Sequence, residues 1–318
     1  MVDALGLEPR TRMRFSSLVA CVAIAPLLIA ATEPVRLQPS SQWVVEYADN
    51  SCRLIRTFGQ GETKTLLFFE SEAPGRMDMT ASGKPLKGDN DEVGVRFLPV
   101  GGKMLGGRRA RTLKGGEPAI LWSTVSWLPD QLAEKLASER AARIENPGVR
   151  PPPINLIDRA AEKLQRQQFA EQATELEIQT RRNHPVILET GPMGNPIKAF
   201  DKCSRDSLKD WGVDPDLEDK IVRPAWAPGG GVNWFNTNDY PREMVLERKE
   251  SDVKVRLLVD AAGKISKCTS LSHFDAPEFK QTTCNALMKR AKFEPAELAD
   301  GTRVPTYATL RIRWEMAR

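Results

Sequence analysis

Histidine is almost missing: His184 and His273 are the two in 318 residues. That leaves no material for a histidine-rich metal site. Long apolar runs are missing too. The longest uncharged apolar stretch, Leu18 to Ala31, has 14 residues, short of the ~20 that a membrane-spanning helix needs. No G-x-S-x-G, H-E-x-x-H or P-loop pattern occurs, so there is no nucleophile elbow, zinc-protease helix or phosphate cradle. Gly229-Gly230-Gly231 lacks the lysine and the helix that such a cradle requires. Charge of one sign is not in excess: 46 Lys and Arg against 42 Asp and Glu give a net +4. The basic residues are scattered, not striped, which gives no nucleic-acid footprint. Glu70, Glu72 and Asp78 read as a solvated turn, and His273 reads as a loop residue beside Asp275. No catalytic constellation assembles from these residues, and the expectation is a protein that is not an enzyme and carries no cofactor or metal.

What is present describes a packed, exported protein. The chain is 41% hydrophobic and 28% charged, a globular composition. Arg10, Arg12 and Arg14 precede SSLVACVAIAPLLIAA, the layout of a signal peptide over residues 1–31, with cleavage near Ala31. Cys21 sits early in this apolar core, before the position a lipobox takes. Removal of the leader leaves Cys52, Cys203, Cys268 and Cys284. An even number of cysteines after an export signal points to disulfides in an oxidising compartment, with three pairings open.

Residues 41–211 read as a strand-rich domain with two or three helices. Trp43–Tyr47, Cys52–Arg56, Thr65–Phe69, Val93–Leu98 and Ile120–Trp127 are short β-type runs separated by glycine turns. Helical patterns follow Pro129, cover 157–172 and cover Ile197–Trp211, with a strand at Val186–Leu188 between the last two. Residues 212–239 hold four glycines and three prolines with no period, the composition of a linker. Trp226 and Trp234 read as anchors of that linker.

The last part has a clear order. Val253, Val255, Leu257 and Val259 alternate with Lys254 and Arg256, which predicts a half-buried strand. Asp260-Ala261-Ala262-Gly263 turns the chain into a second strand over Lys264–Leu271. Asp275 and Glu278 have capping-box spacing. Cys284, Leu287, Met288 and Ala291 then form one helical stripe. Pro295 stops the helix, and Phe293 is placed to fold under the sheet. Asp300-Gly301 turns, and Pro305 admits a final strand in which Ala308, Leu310, Ile312 and Trp314 alternate with Thr309, Arg311 and Arg313. The fold class is α+β: the strand-rich N-terminal domain, then a small β-β-α-β domain over 240–316.

Tyr240-Pro241, the alternating run from Val253 to Ile265 with Asp260 and Gly263, the stretch Met288-Lys289-Arg290-Ala291-Lys292-Phe293-Glu294-Pro295-Ala296, and Asp300-Gly301-x-x-Val304-Pro305 together resemble the C-terminal domain of the TonB family of periplasmic energy transducers. The resemblance covers about 240–316, roughly a quarter of the chain. Ser251-Asp252 departs from it, since family members usually carry glycine there. The resemblance implies a periplasmic protein that adds an extended segment of a TonB-dependent outer-membrane transporter, or of another envelope protein, to a sheet edge. It points to Tyr240, Pro241, Thr309, Arg311 and Arg313 as partner-binding residues, although outward arginines on an edge strand also serve simply to prevent aggregation. It further implies a Cys268–Cys284 disulfide and, with it, Cys52–Cys203. A TonB transducer has a membrane anchor and a Pro/Lys-rich spacer. Here the apolar segment is short and a whole domain stands in the spacer's place. Inner-membrane attachment is expected only if the leader is retained. The alternative is a soluble periplasmic binding or structural protein that uses the same module without energy transduction.

Overall fold

Alternation writes the strands of the N-terminal part. From Thr65 to Ala73 every odd-numbered side chain is buried and every even one is half-exposed, the period of two that a sheet with one wet face imposes. The computed structural model describes residues 33–318 apart from 89–91, 111–116, 146–148, 181–183, 232, 272–275 and 317–318. The leader, Cys21, His273 and Asp275 thus lie outside the described residues. Ten strands make the large sheet: β1 (Val35–Leu37), β2 (Val44–Tyr47), β3 (Cys52–Phe58), β4 (Thr65–Ala73), β5 (Arg76–Gly83), β6 (Val93–Leu98), β7 (Leu105–Ala110), β8 (Ala119–Trp122), β9 (Glu175–Thr180) and β10 (Val186–Leu188). They are bonded in the order β1-β10-β9-β6-β7-β8-β5-β4-β3-β2. The β1–β10 pair is parallel.

The two ends of this sheet meet. Pro39 bridges Phe58, Ser40 N–H donates to the Thr57 carbonyl, and Gly59 N–H donates to the Gln38 carbonyl, both at 2.8 Å. The sheet therefore curls around its own core, in which the Trp127 ring lies 4.2 Å from Phe97 and 5.4 Å from Phe69. Three helices flank it: α1 (Asp130–Glu145), α2 (Leu156–Gln172) and α3 (Gly194–Asp210). Helix α3 packs on β2 and β3, and a disulfide joins its Cys203 to Cys52 of β3.

The C-terminal part adds α4 (Pro215–Glu218), α5 (Arg242–Leu246), β11 (Ser251–Val259), β12 (Ile265–Ser270), α6 (Pro277–Arg290), β13 (Ala296–Glu297), β14 (Arg303–Val304) and β15 (Thr306–Trp314). Strands β12, β11 and β15 form an antiparallel sheet in that order. Val253, Val255, Leu257 and Val259 bury one face of it against Phe279 and Leu287 of α6. Cys268 on β12 is disulfide-bonded to Cys284 on α6.

The buried stripe of α6 runs through Phe279, Thr283, Ala286 and Leu287, while Met288 is 44% exposed. The expected stripe is thus rotated, and Trp314 is the reason. Its indole N–H donates to Thr283 Oγ1 at 2.9 Å and its ring lies 5.9 Å from Phe279. The helix begins at Pro277, with Ala276 at the cap position and no side-chain cap. A first-turn proline, which has no N–H to satisfy, stands where a capping box was expected.

Residues 212–231 and 233–239, linker-like in composition, carry fixed structure. Val222 and Arg223 donate to the Glu297 carbonyl, and Trp226 and Glu294 exchange a pair of backbone hydrogen bonds. Ile221 packs with Ala296 and Val304 in a small core of its own. Trp234 lies against Phe293 and its carbonyl accepts from Arg290 Nε at 2.7 Å. Residues 33–318 form one compact unit.

Gly263 sets the β11–β12 turn at φ +80°, where a Cβ would sit 1.9 Å from the Phe293 carbonyl oxygen. Gly263→Ala should destabilise the protein by about 3 kcal/mol, from left-handed backbone strain plus a backbone clash, measured by urea unfolding. The two disulfides span 151 and 16 residues. In the chain-entropy model, opening the Cys52–Cys203 ring should cost about 5 kcal/mol and opening the Cys268–Cys284 ring about 3 kcal/mol. Denaturation midpoints of Cys52→Ala/Cys203→Ala and Cys268→Ala/Cys284→Ala should fall in that order.

Candidate functional site

β15 lies at the margin of the small sheet. β11 occupies one side of it, and among the described residues no strand occupies the other. Its side chains divide by parity. Ala308, Leu310, Ile312 and Trp314 join the core under α6. Thr309, Arg311 and Arg313 point to the opposite face, beside Arg256, Lys254 and Asp252 of β11. Arg311 Nε lies 2.8 Å from Asp252, and Arg313 lies 3.4 Å from Glu315. Both arginines are largely exposed, at 56% and 68% of the side chain.

Tyr240 and Pro241 occupy a different place. The Tyr240 ring sits edge-on to Phe279 and Trp314, 5.6 Å from each. Its hydroxyl donates to the Lys249 carbonyl at 2.7 Å. Pro241 is the N-cap residue of α5. Tyr240 therefore walls the core and touches β15 through Trp314, on the face opposite Arg311. The structure brings Thr309, Arg311 and Arg313 together and separates Tyr240 and Pro241 from them.

The face that carries Arg311 is not free along its whole length, because the N-terminal part docks against it. Arg256 is 3% exposed. Its guanidinium carbon stands 3.4 Å above the Trp211 ring, and its nitrogens donate to the carbonyls of Asn50 and Glu72 at 3.3 and 3.2 Å and to Asn50 Oδ1 at 3.4 Å. Lys254 bridges Glu72 and Asp78. The Tyr307 ring packs edge-on to Trp211 at 5.7 Å, and its hydroxyl reaches the Pro74 carbonyl at 3.5 Å. The sequence marks this seam faintly: Lys254 and Arg256 occupy the polar phase of β11, which alternation alone assigns to solvent. Glu72 and Asp78, read as a solvated turn, are instead the partners of Lys254.

Burial governs the electrostatics of the seam. It pushes the Arg256 guanidinium down to about 10, well below the usual arginine value. It pushes the Tyr307 hydroxyl up. It also raises Glu72, outweighing the opposing hydrogen bond and charge of Lys254. Burial opposes the charge of Lys254, yet the hydrogen bond and charge of Glu72 prevail and raise its pKa. Glu218, whose Oε2 accepts from Thr306 Oγ1 at 2.7 Å, is raised by burial as well. A carboxyl raised on folding binds protons more tightly in the folded chain. Its stabilising contribution is complete below the ordinary value and is lost as pH rises through the raised one. Stability should therefore fall as pH rises from about 4.5, the ordinary glutamate value, and Glu72→Gln should fall less steeply. Urea midpoints of the two proteins across the weakly acidic range check this.

No curated protein matches the chain. Residues 236–316 match a family model, that of the Gram-negative bacterial TonB protein C-terminal. The matched span contains α5, β11, β12, α6 and β13 to β15. Domains of this kind belong to the cell envelope. The small sheet with α6 packed on one face, and with β15 at its margin, is thus a TonB-type C-terminal domain.

Proposed function

We propose that this chain is a non-catalytic periplasmic protein whose TonB-type domain binds an extended segment of a partner, a TonB-dependent outer-membrane transporter, by adding it as a strand to β15. The observation that supports the reading is the outer side of β15. It has no strand neighbour among the described residues, and main-chain groups on such a margin are a ready template for another strand. Arg311 and Arg313 on one face favour a segment with acidic or hydroxyl side chains in register with them. Leu310 and Ile312 on the other favour apolar ones.

The packing of residues 212–239 favours a second reading. A stretch that exchanges backbone hydrogen bonds with Glu294 and Glu297 is not a free arm. That suits a protein which binds within the periplasm and does not itself transmit force from the inner membrane. On this reading the module is used for capture, without energy transduction.

Titration calorimetry with a synthetic peptide copied from the N-terminal extended segment of a TonB-dependent transporter tests the binding. Arg311→Glu/Arg313→Glu should weaken an acidic peptide about tenfold, from roughly 1.4 kcal/mol of lost charge complementarity, and added salt should shrink the difference. Equal affinity for both proteins would remove the two arginines from the site. Intact mass of the protein from periplasmic extracts should correspond to a chain that begins near Thr32. A mass that retains the leader, in the inner-membrane fraction, would favour an anchored transducer.

A further inference from the structure

The start of β15 is enclosed on both faces by one short piece of chain. On one face, Trp211 packs against Tyr307 and under Arg256. On the other, Glu218 accepts the hydroxyl hydrogen of Thr306, a residue only 3% exposed. Trp211 and Glu218 are seven positions apart in sequence, so the stretch between them wraps the beginning of the strand. It is held down along its length. Val213 is buried at 3% and donates to the Leu208 carbonyl at 2.9 Å. Asp214 caps α4. Asp216 and Asp219 are both paired to Arg205 of α3. Beyond this wrap the strand opens, and Arg311 and Arg313 are the most exposed of its side chains.

We propose that residues 211–218 are a strap that sets how much of β15 a partner can use. With the strap seated, the docking margin runs from about Ala308 to Arg313. Two extended strands rise about 3.4 Å per residue, so a bound segment pairs over roughly six residues and stops at the strap. With the strap released, the full strand from Thr306 to Trp314 becomes available. The strap is thus the element that defines the length of segment the module accepts. Arg205, Glu218 and Trp211 are its fastenings. The consequence for a partner rests on the strand-addition reading, while the position of the strap does not.

The test uses the full chain with Arg205→Ala/Glu218→Ala, and separately Trp211→Leu. Hydrogen exchange, read without any ligand, should be at least about tenfold faster at the amides of 306–308 in both variants. Exchange in α6 and β12 should be unchanged, which also reports that the module remains folded. Unchanged exchange at 306–308 in both variants, or acceleration across the whole module in both, would overturn the strap. A second arm uses two alternating Thr/Val peptides as probes, one of six residues and one of nine. Wild type should bind them with equal affinity, and the variants should prefer the nine-residue probe by about tenfold, roughly 1.4 kcal/mol. Equal affinities in the variants would overturn the length-setting role. If neither probe binds any of the proteins, strand addition fails while the exchange result still decides where the strap lies.

Discussion

Arg256 is the constraint around which the two parts of this protein are arranged. A guanidinium cannot leave water without acceptors for its hydrogens and a surface for its charge. Neither is available within the small sheet. Trp211, Asn50 and Glu72 supply them, the first from the end of α3 and the others from the turn before β3 and the end of β4. Because Arg256 lies on the central strand of its sheet, satisfying it brings the part of that face around Lys254, Arg256 and Tyr307 down on the N-terminal part and leaves Arg311 and Arg313 exposed. Lys254 and Tyr307, its neighbours on the same face, then find partners in Glu72, Asp78 and Pro74. β11 is consequently enclosed on both faces, one apolar and one polar.

Much of the C-terminal domain was legible in the sequence because its signals are local. Valine alternation gives β11, Asp260 to Gly263 gives the turn, and Pro295 and Pro305 bracket the return to β15. The N-terminal strands with clean alternation or aromatic runs were legible for the same reason. β5, β7 and β9 were not. β5 and β7 mix Gly, Ala, Thr, Met and charged residues, so they become strands through pairing with neighbours along the sheet, not through an intrinsic pattern. Arg76 to Gly83, for instance, owes its strand to Leu66–Glu70 and to β8. β9 does alternate Leu176, Ile178 and Thr180 with Glu175, Glu177 and Gln179, but over six residues that directly follow a helix.

The site divides in the same way. Thr309, Arg311 and Arg313 share a face because alternation is enough to place them. Tyr240 fits the family pattern but packs as an aromatic wall against Phe279 and Trp314, a tertiary contact with no local signature. The seam was the least visible feature. Polar residues that alternate along a strand look the same whether they face water or a second domain with matched acceptors. Trp211 and Glu72 are 139 positions apart in sequence, and neither signals its role alone. The low-complexity stretch 212–239 misleads for a related reason: its glycines and prolines permit a flexible chain, while Glu294 and Glu297 provide backbone partners that fix it.

The disulfides have a consequence for how the molecule can come apart. Cys52–Cys203 closes a ring that holds most of the N-terminal part, and Cys268–Cys284 closes a small ring inside the C-terminal domain. Glu72, Pro74 and Asp78 of the larger ring reach the seam, but their partners Lys254, Arg256 and Tyr307 lie outside both loops, and neither disulfide crosses it. The covalent map is therefore two closed links on a single thread, and the joint between the links is made wholly of reversible contacts. A pull along β15 would strain that joint first, and each link could survive its parting with every sulfur bond intact.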